Sequence, residues 1–145
     1  MSFGGPLMIA PMTTMLGIRP GMHVKVVNPP GGFVDSLKPL PEGCALLESA
    51  TLGIDLTVFF STRKTEVIEK LTVLMRGMAV TGSIWVAFPT TIESPVVPTE
   101  DFVRALALEL GLTDVKKLML NTEWTGLKLQ FRPKNPRANK PQVTA

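Results

Sequence analysis

His23, Cys44 and the stretch Asn28-Pro29-Pro30-Gly31-Gly32 are the places where the chain's residue types could do chemistry. His23 is the only imidazole and Cys44 the only thiol, and there is no tyrosine. Proton transfer, nucleophilic attack and metal ligation each need groups of that kind in combination. A zinc site needs several Cys or His ligands, which one of each cannot supply. His23 stands at the start of an apolar run with no carboxylate beside it in sequence, and reads as a strand-end imidazole. Cys44 opens another apolar run after Leu-Pro-Glu-Gly and reads as a buried thiol. The chain has no phosphate-binding GxxxxGK[ST] motif, no Ser-His-Asp spacing and no paired-carboxylate motif. Hydrolase and nucleotide-hydrolase readings fall away, and the inventory points away from an enzyme without excluding one.

The glycine stretch is different, because it follows a strand-like run, HVKVV, where an α/β protein would keep a cofactor loop. Glycines there let backbone N–H groups approach a ligand. Pro29 and Pro30 remove two such donors and fix φ, so the stretch also reads as a rigid corner.

The elements that must position these residues follow from hydrophobic patterning. VKVV (24–27), CALLE (44–48), LTVFF (56–60) and SIWVAF (83–88) are short, mostly apolar runs, as expected of strands buried on both faces of a largely parallel sheet. Between the last two, Val67, Ile68, Leu71, Leu74, Met75 and Met78 recur at helical spacing, with Ser61 or Thr62 as the expected cap. A second helix is expected from Thr99, its inner face Phe102, Val103, Leu106 and Leu110, stopped by Gly111. In VKKLMLNTEWTGLKLQF, Leu127, Leu129 and Phe131 alternate with Lys128 and Gln130, which predicts an antiparallel hairpin with one wet face. A short helical turn is expected near 33–40.

Only SATLGI separates Glu48 from Asp55. Six extended residues reach roughly 20 Å, whereas a parallel crossover normally takes about a dozen or more residues. The second strand is therefore expected to be very short, or to run antiparallel at an edge.

The 145 residues fit one domain, and 45% hydrophobic with 19% charged residues suits a compact fold. The expected organisation is an apolar, Met-rich arm over residues 1–15, a single α/β domain over 16–132, and a basic, proline-containing tail over 133–145. No apolar run reaches membrane-spanning length. A lone cysteine excludes an internal disulfide and fits a reducing cytoplasm. The net charge of +3 is concentrated at the C-terminus, where residues 131–145 hold four basic and no acidic side chains. A nucleic-acid contact is thus expected through the tail if anywhere, since the aromatics of the domain lie in core-like patterns. The arm, with Met1, Met8, Met12 and Met15, is expected to pack on its own domain, on a second copy or on a protein partner.

Two resemblances add to this reading. LGIRPG (16–21), NPPGGF (28–33), LPEG (40–43), GIDLTVFF (53–60), GSIWVAFP (82–89), GLTDVK (111–116) and EWTGLKLQF (123–131) resemble a family of small bacterial proteins of unknown function. That resemblance implies a fold and no activity. In its pattern a lysine follows the Trp-Val-Ala-aromatic-Pro strand; here the position is Thr90. RPGMHVKVVNPPGG, GIDLTVFF and AVTGSIWVAF also resemble the first strand, glycine loop and later strands of Rossmann-like methyltransferases that use S-adenosylmethionine. Glu48, twenty residues after Asn28, falls near the acidic residue expected for ribose hydroxyls. The usual acid before the loop is Asn28 here.

The sequence therefore predicts a three-layer, Rossmann-like α/β domain, with a mainly parallel sheet of about six strands and a C-terminal antiparallel hairpin. The expected function is a non-catalytic binding or regulatory module on a degenerate methyltransferase-like scaffold, with no cofactor. One alternative is an S-adenosylmethionine-dependent methyltransferase or other nucleotide-ligand enzyme, with Gly31, Gly32 and Glu48 holding the cofactor. Another is an assembly component anchored by arm and tail. Ligands of α/β sheets bind at strand C-termini, which nominates Asn28, Gly31, Gly32, Glu48, Phe60, Pro89 and Trp124. Trp124, at the expected hairpin turn, reads as a sheet cap or a ligand wall.

Overall fold

The apolar runs do form the sheet, and their order in it is set by two short crossovers. The computed structural model describes residues 11–47 and 52–133. The elements run α1 (Met12–Leu16), β1 (His23–Val27), α2 (Phe33–Ser36), β2 (Ala45–Leu47), β3 (Ile54–Phe60), α3 (Lys64–Arg76), β4 (Met78–Pro89), α4 (Glu100–Glu109), β5 (Leu112–Met119) and β6 (Trp124–Phe131). They make one six-stranded sheet in the order β2-β1-β3-β4-β6-β5, in which the first four strands are parallel and β6 runs against both β4 and β5. The chain steps from β1 outward to β2, then returns past β1 to β3, so the order reverses between β1 and β3. No helix among the described residues is long and apolar enough to cross a membrane.

The tight link after Leu47 is resolved by brevity. β2 has three residues, stays parallel to β1 and forms the edge, so the return to β3 needs little reach. The antiparallel option is not used.

Both faces of the sheet are covered, which is why its inner strands read as continuous apolar runs. On one face α3 and α4 pack Val67, Leu71, Val103 and Ala107 on Phe59, Ile84, Val86, Leu127 and Leu129. On the other, α1, α2 and their loops pack Met12, Leu16, Ile18, Phe33 and Leu37 on Val24, Leu56, Val58, Phe60 and Trp85. Met12 and Leu16 are fully buried, so the Met-rich segment packs on its own domain at least from Met12. Met1 and Met8, like the tail from residue 134, lie outside the described residues.

Several local expectations change. Met78 does not belong to α3, which ends at Arg76 before Gly77; it opens β4. Ser61 and Thr62 do not cap α3: its cap position is Arg63, which makes no side-chain cap, and Ser61 is used otherwise, as shown below. Ile68 is 46% exposed, because α3 turns only its Val67 and Leu71 stripe fully inward. The hairpin face bearing Lys128 and Gln130 is half-buried instead of wet, since the loop after α1 closes over it. Thr99 caps α4 as expected, accepting from the Phe102 N–H at 3.2 Å, and Gly111 follows the helix at φ +89°.

Candidate functional site

The C-terminal ends of β1 and β3 flank the reversal of strand order, which is where open α/β sheets take their ligands. Asn28 follows β1 with φ +57°, a left-handed conformation that asparagine tolerates better than most residues. Its side-chain amide thereby reaches across to β3. It donates to the Phe60 carbonyl at 3.3 Å and to Glu66 Oε2 at 2.9 Å. Glu66 in turn accepts from the Ser61 hydroxyl at 2.6 Å and pairs with Lys70 at 3.4 Å. The Ser61 hydroxyl, helped by Asn28 and Lys70, holds the Glu66 carboxyl below the usual carboxylate range against the opposing effect of burial.

The ring of Phe60 is 1% exposed and stands edge-on to two others, Phe33 at 4.8 Å and Trp124 at 5.1 Å between centroids. Trp124 opens β6 opposite Pro89, the last residue of β4. The turn before it is tied by Asn121 Oδ1, which accepts from the Glu123 and Trp124 N–H groups at 2.8 and 2.9 Å, while Asn121 Nδ2 is buried without a partner. Thr90, in the position of the resembled family's lysine, shares a hydrogen bond with Thr125 at 2.8 Å between hydroxyls.

Asn28, Phe60, Pro89 and Trp124 are thus gathered at one end of the sheet. Gly31 and Gly32 sit beside them on an exposed corner, in which the Phe33 N–H closes on the Pro30 carbonyl at 3.2 Å. Gly32 has φ +87°, so the second glycine is needed for the turn itself. No acceptor among the described residues takes the Gly31 or Gly32 N–H. Glu48 lies outside the described residues. His23 is a strand-end imidazole, 54% exposed, with Nδ1 3.9 Å from Asp55. Cys44 points its thiol at the Arg19 carbonyl, 3.0 Å away.

Sequence reasoning missed Glu66, the side chain that occupies the Asn28 amide, and the part Ser61 plays in holding it. The cue was present: Glu66 is the third residue of α3, the place where a glutamate commonly folds back on a helix start.

The arrangement explains why an acid does not stand at position 28. Asn28→Asp would set a second carboxylate about 3 Å from Glu66 and lose both donated bonds. The variant is expected to lose about 1–3 kcal/mol at pH 7. Glu66, with its depressed pKa, contributes stability that is complete above its ordinary value of 4.5 and is lost as the pH falls below it. In the variant one carboxyl of the pair is raised and takes up a proton first, so acid relieves the repulsion. Urea melts from pH 7 to pH 4 should show the two proteins converging; a constant gap would remove Glu66 from this account.

No family model matches the chain, and no curated protein matches it. Solved structures do. The mitomycin 7-O-methyltransferase MmcR aligns with TM-score 0.61 and 12% identity over 81% of this chain and 50% of its own. The pyocyanin biosynthetic protein PhzM aligns with TM-score 0.62 and 12% identity over 83% and 53%. A SAM-dependent methyltransferase from Aquifex aeolicus aligns with TM-score 0.54 and 13% identity over 80% and 85%. The fold is Rossmann-like and of the methyltransferase type. The chain spans about half the length of MmcR and PhzM.

Proposed function

We propose that the protein is a non-catalytic binding module built on a methyltransferase-type scaffold. The observation that carries this reading is the use of the groups at the strand-order reversal. The Asn28 amide is spent on the Phe60 carbonyl and Glu66, Glu66 is spent on Ser61 and Lys70, and Phe60 is walled in by Phe33 and Trp124. A cofactor's adenine or ribose would have to displace these contacts, and Pro29-Pro30 offer it no N–H in return. No imidazole or thiol stands at this end among the described residues, and the further carboxylates there, Glu93 and Glu123, are exposed on the loops after β4 and before β6. In this reading Trp124, part-exposed at the sheet end, is the contact point for a ligand or partner.

A second reading, an S-adenosylmethionine-dependent methyltransferase, is supported by the likeness to solved methyltransferases and by the two glycine N–H groups left without acceptors. There Gly31, Gly32 and Glu48 would hold the cofactor.

Native mass spectrometry of the protein gently purified from the cells that make it tests the binding role. A retained mass is expected, either a small molecule or a macromolecular partner, reduced by Trp124→Ala. A bare protein at native concentration would contradict a binding module.

A further inference from the structure

At the opposite end of the sheet, below the N-terminal ends of β3 and β4, the loop after α1 roofs a cavity of about 230 Å³. Its polar lining comes from Arg19, Asp55, Thr81, Ser83, Lys128 and Gln130. Lys128 lies on β6, on the same sheet face as Trp85, and its ammonium sits 5.7 Å from the centre of that ring. It reaches there because residue 17 is glycine: a Cβ at that position would meet the Lys128 Nζ at 3.0 Å. Among the described residues Lys128 makes no hydrogen bond and no ion pair, and the ring is its one attractive contact. Burial, and then the like charges of Lys116 and Arg19, push the Lys128 ammonium below the usual lysine range.

A half-buried cation with other cations for neighbours is costly unless an anion answers it. The neighbouring lining groups are held in place by bonds of their own. Gln130 Nε2 donates to the Ser83 hydroxyl at 3.1 Å, and Asp55 is anchored by the His23 N–H at 2.8 Å. Asp55 puts one carboxylate into the lining, so an anion lacking any donor would meet repulsion there. The volume falls short of the roughly 300–1,000 Å³ of ordinary ligand pockets. At about 30 Å³ per water it holds a few heavy atoms beyond an oxyanion head, and no nucleotide.

We propose that this cavity binds a small oxyanion that carries its own O–H or N–H donor, with Lys128 and Arg19 taking the negative oxygens and Asp55 the donor. A hydrogen phosphate group and a hydroxycarboxylate share that chemistry.

Calorimetric titration of the full chain in chloride buffer at fixed ionic strength tests this, with inorganic phosphate in one arm and glycolate in the other. Saturable binding of at least one anion is expected, weakened about tenfold or more in Lys128→Met and in Arg19→Gln. Binding of phosphate alone assigns the phosphate-ester class, and binding of glycolate alone the carboxylate class. Arg19 is exposed, so Arg19→Gln carries the test if Lys128→Met fails to fold. No saturable binding of either anion, or undiminished binding by the folded variants, would overturn the proposal.

Discussion

Phe60→Ala is expected to destabilise the protein by about 3–5 kcal/mol, the range for deleting a buried phenylalanine and leaving a cavity behind. Phe60 is 1% exposed and contacts both Phe33 and Trp124 edge-on, so the loss removes two aromatic pairs as well as buried area. The expected fall in Tm is about 10 °C or more. The second consequence is local: Trp124 loses the ring that covers it, and its fluorescence emission shifts to the red while Trp85, 0% exposed, keeps its own. A variant that melts within about 2 °C of the parent would mean that the rings at the strand-order reversal are not packed as described.

Trp85→Phe is expected to cost about 2–4 kcal/mol. The indole N–H donates to the Leu16 carbonyl at 2.9 Å, across 69 positions of sequence, and pins the end of α1 to the centre of the sheet. Phenylalanine removes that donor and leaves the carbonyl of a fully buried residue unpaired, in addition to the lost ring volume. The unequal release of the two ends of the molecule makes the effect diagnostic. The Gly17 and Ile18 N–H groups, which close the end of α1 on the Thr13 and Thr14 carbonyls, should exchange with solvent much faster than in the parent, while those of α4 change only with global stability. Uniform acceleration throughout the chain would show that Trp85 contributes bulk packing and no specific anchor.

The parts of the fold that were legible in the sequence are those where one face decides. The apolar runs 56–60 and 83–88 are strands buried on both sides, 24–27 is a partly buried strand beside them, and each is also bounded by a polar or turn-forming residue. Thr99 announced α4 because cap and acidic first turn agree. Ser61 misled for a physical reason: its hydroxyl serves the N3 glutamate five residues on, at 2.6 Å, and the helix starts at Lys64, after a cap position, Arg63, that makes no side-chain cap. The half-burial of Lys128 was not legible, since it depends on a loop more than a hundred residues away, where Gly17 leaves room for an ammonium. Alternation along β6 says which side chains share a face and says nothing of what covers that face.

The candidate site was legible in part. Asn28, Phe60, Pro89 and Trp124 do gather at the C-terminal end of the sheet, as strand direction alone requires. What holds them, the hydrogen bonds from Asn28 to β3 and α3, depends on the left-handed backbone of Asn28 and on the register of β1 against β3. Neither can be read from residue types.

Titrating the protein with S-adenosylmethionine and its demethylated product, followed calorimetrically and by amide chemical shifts, tests the central claim most directly. With Asn28, Glu66 and the three rings committed to one another, no saturable heat and no localised shift are expected up to millimolar ligand. Saturable binding that moves the amide signals of Asn28, Gly31, Gly32 and Phe60 would contradict the account and restore the crevice as a cofactor site.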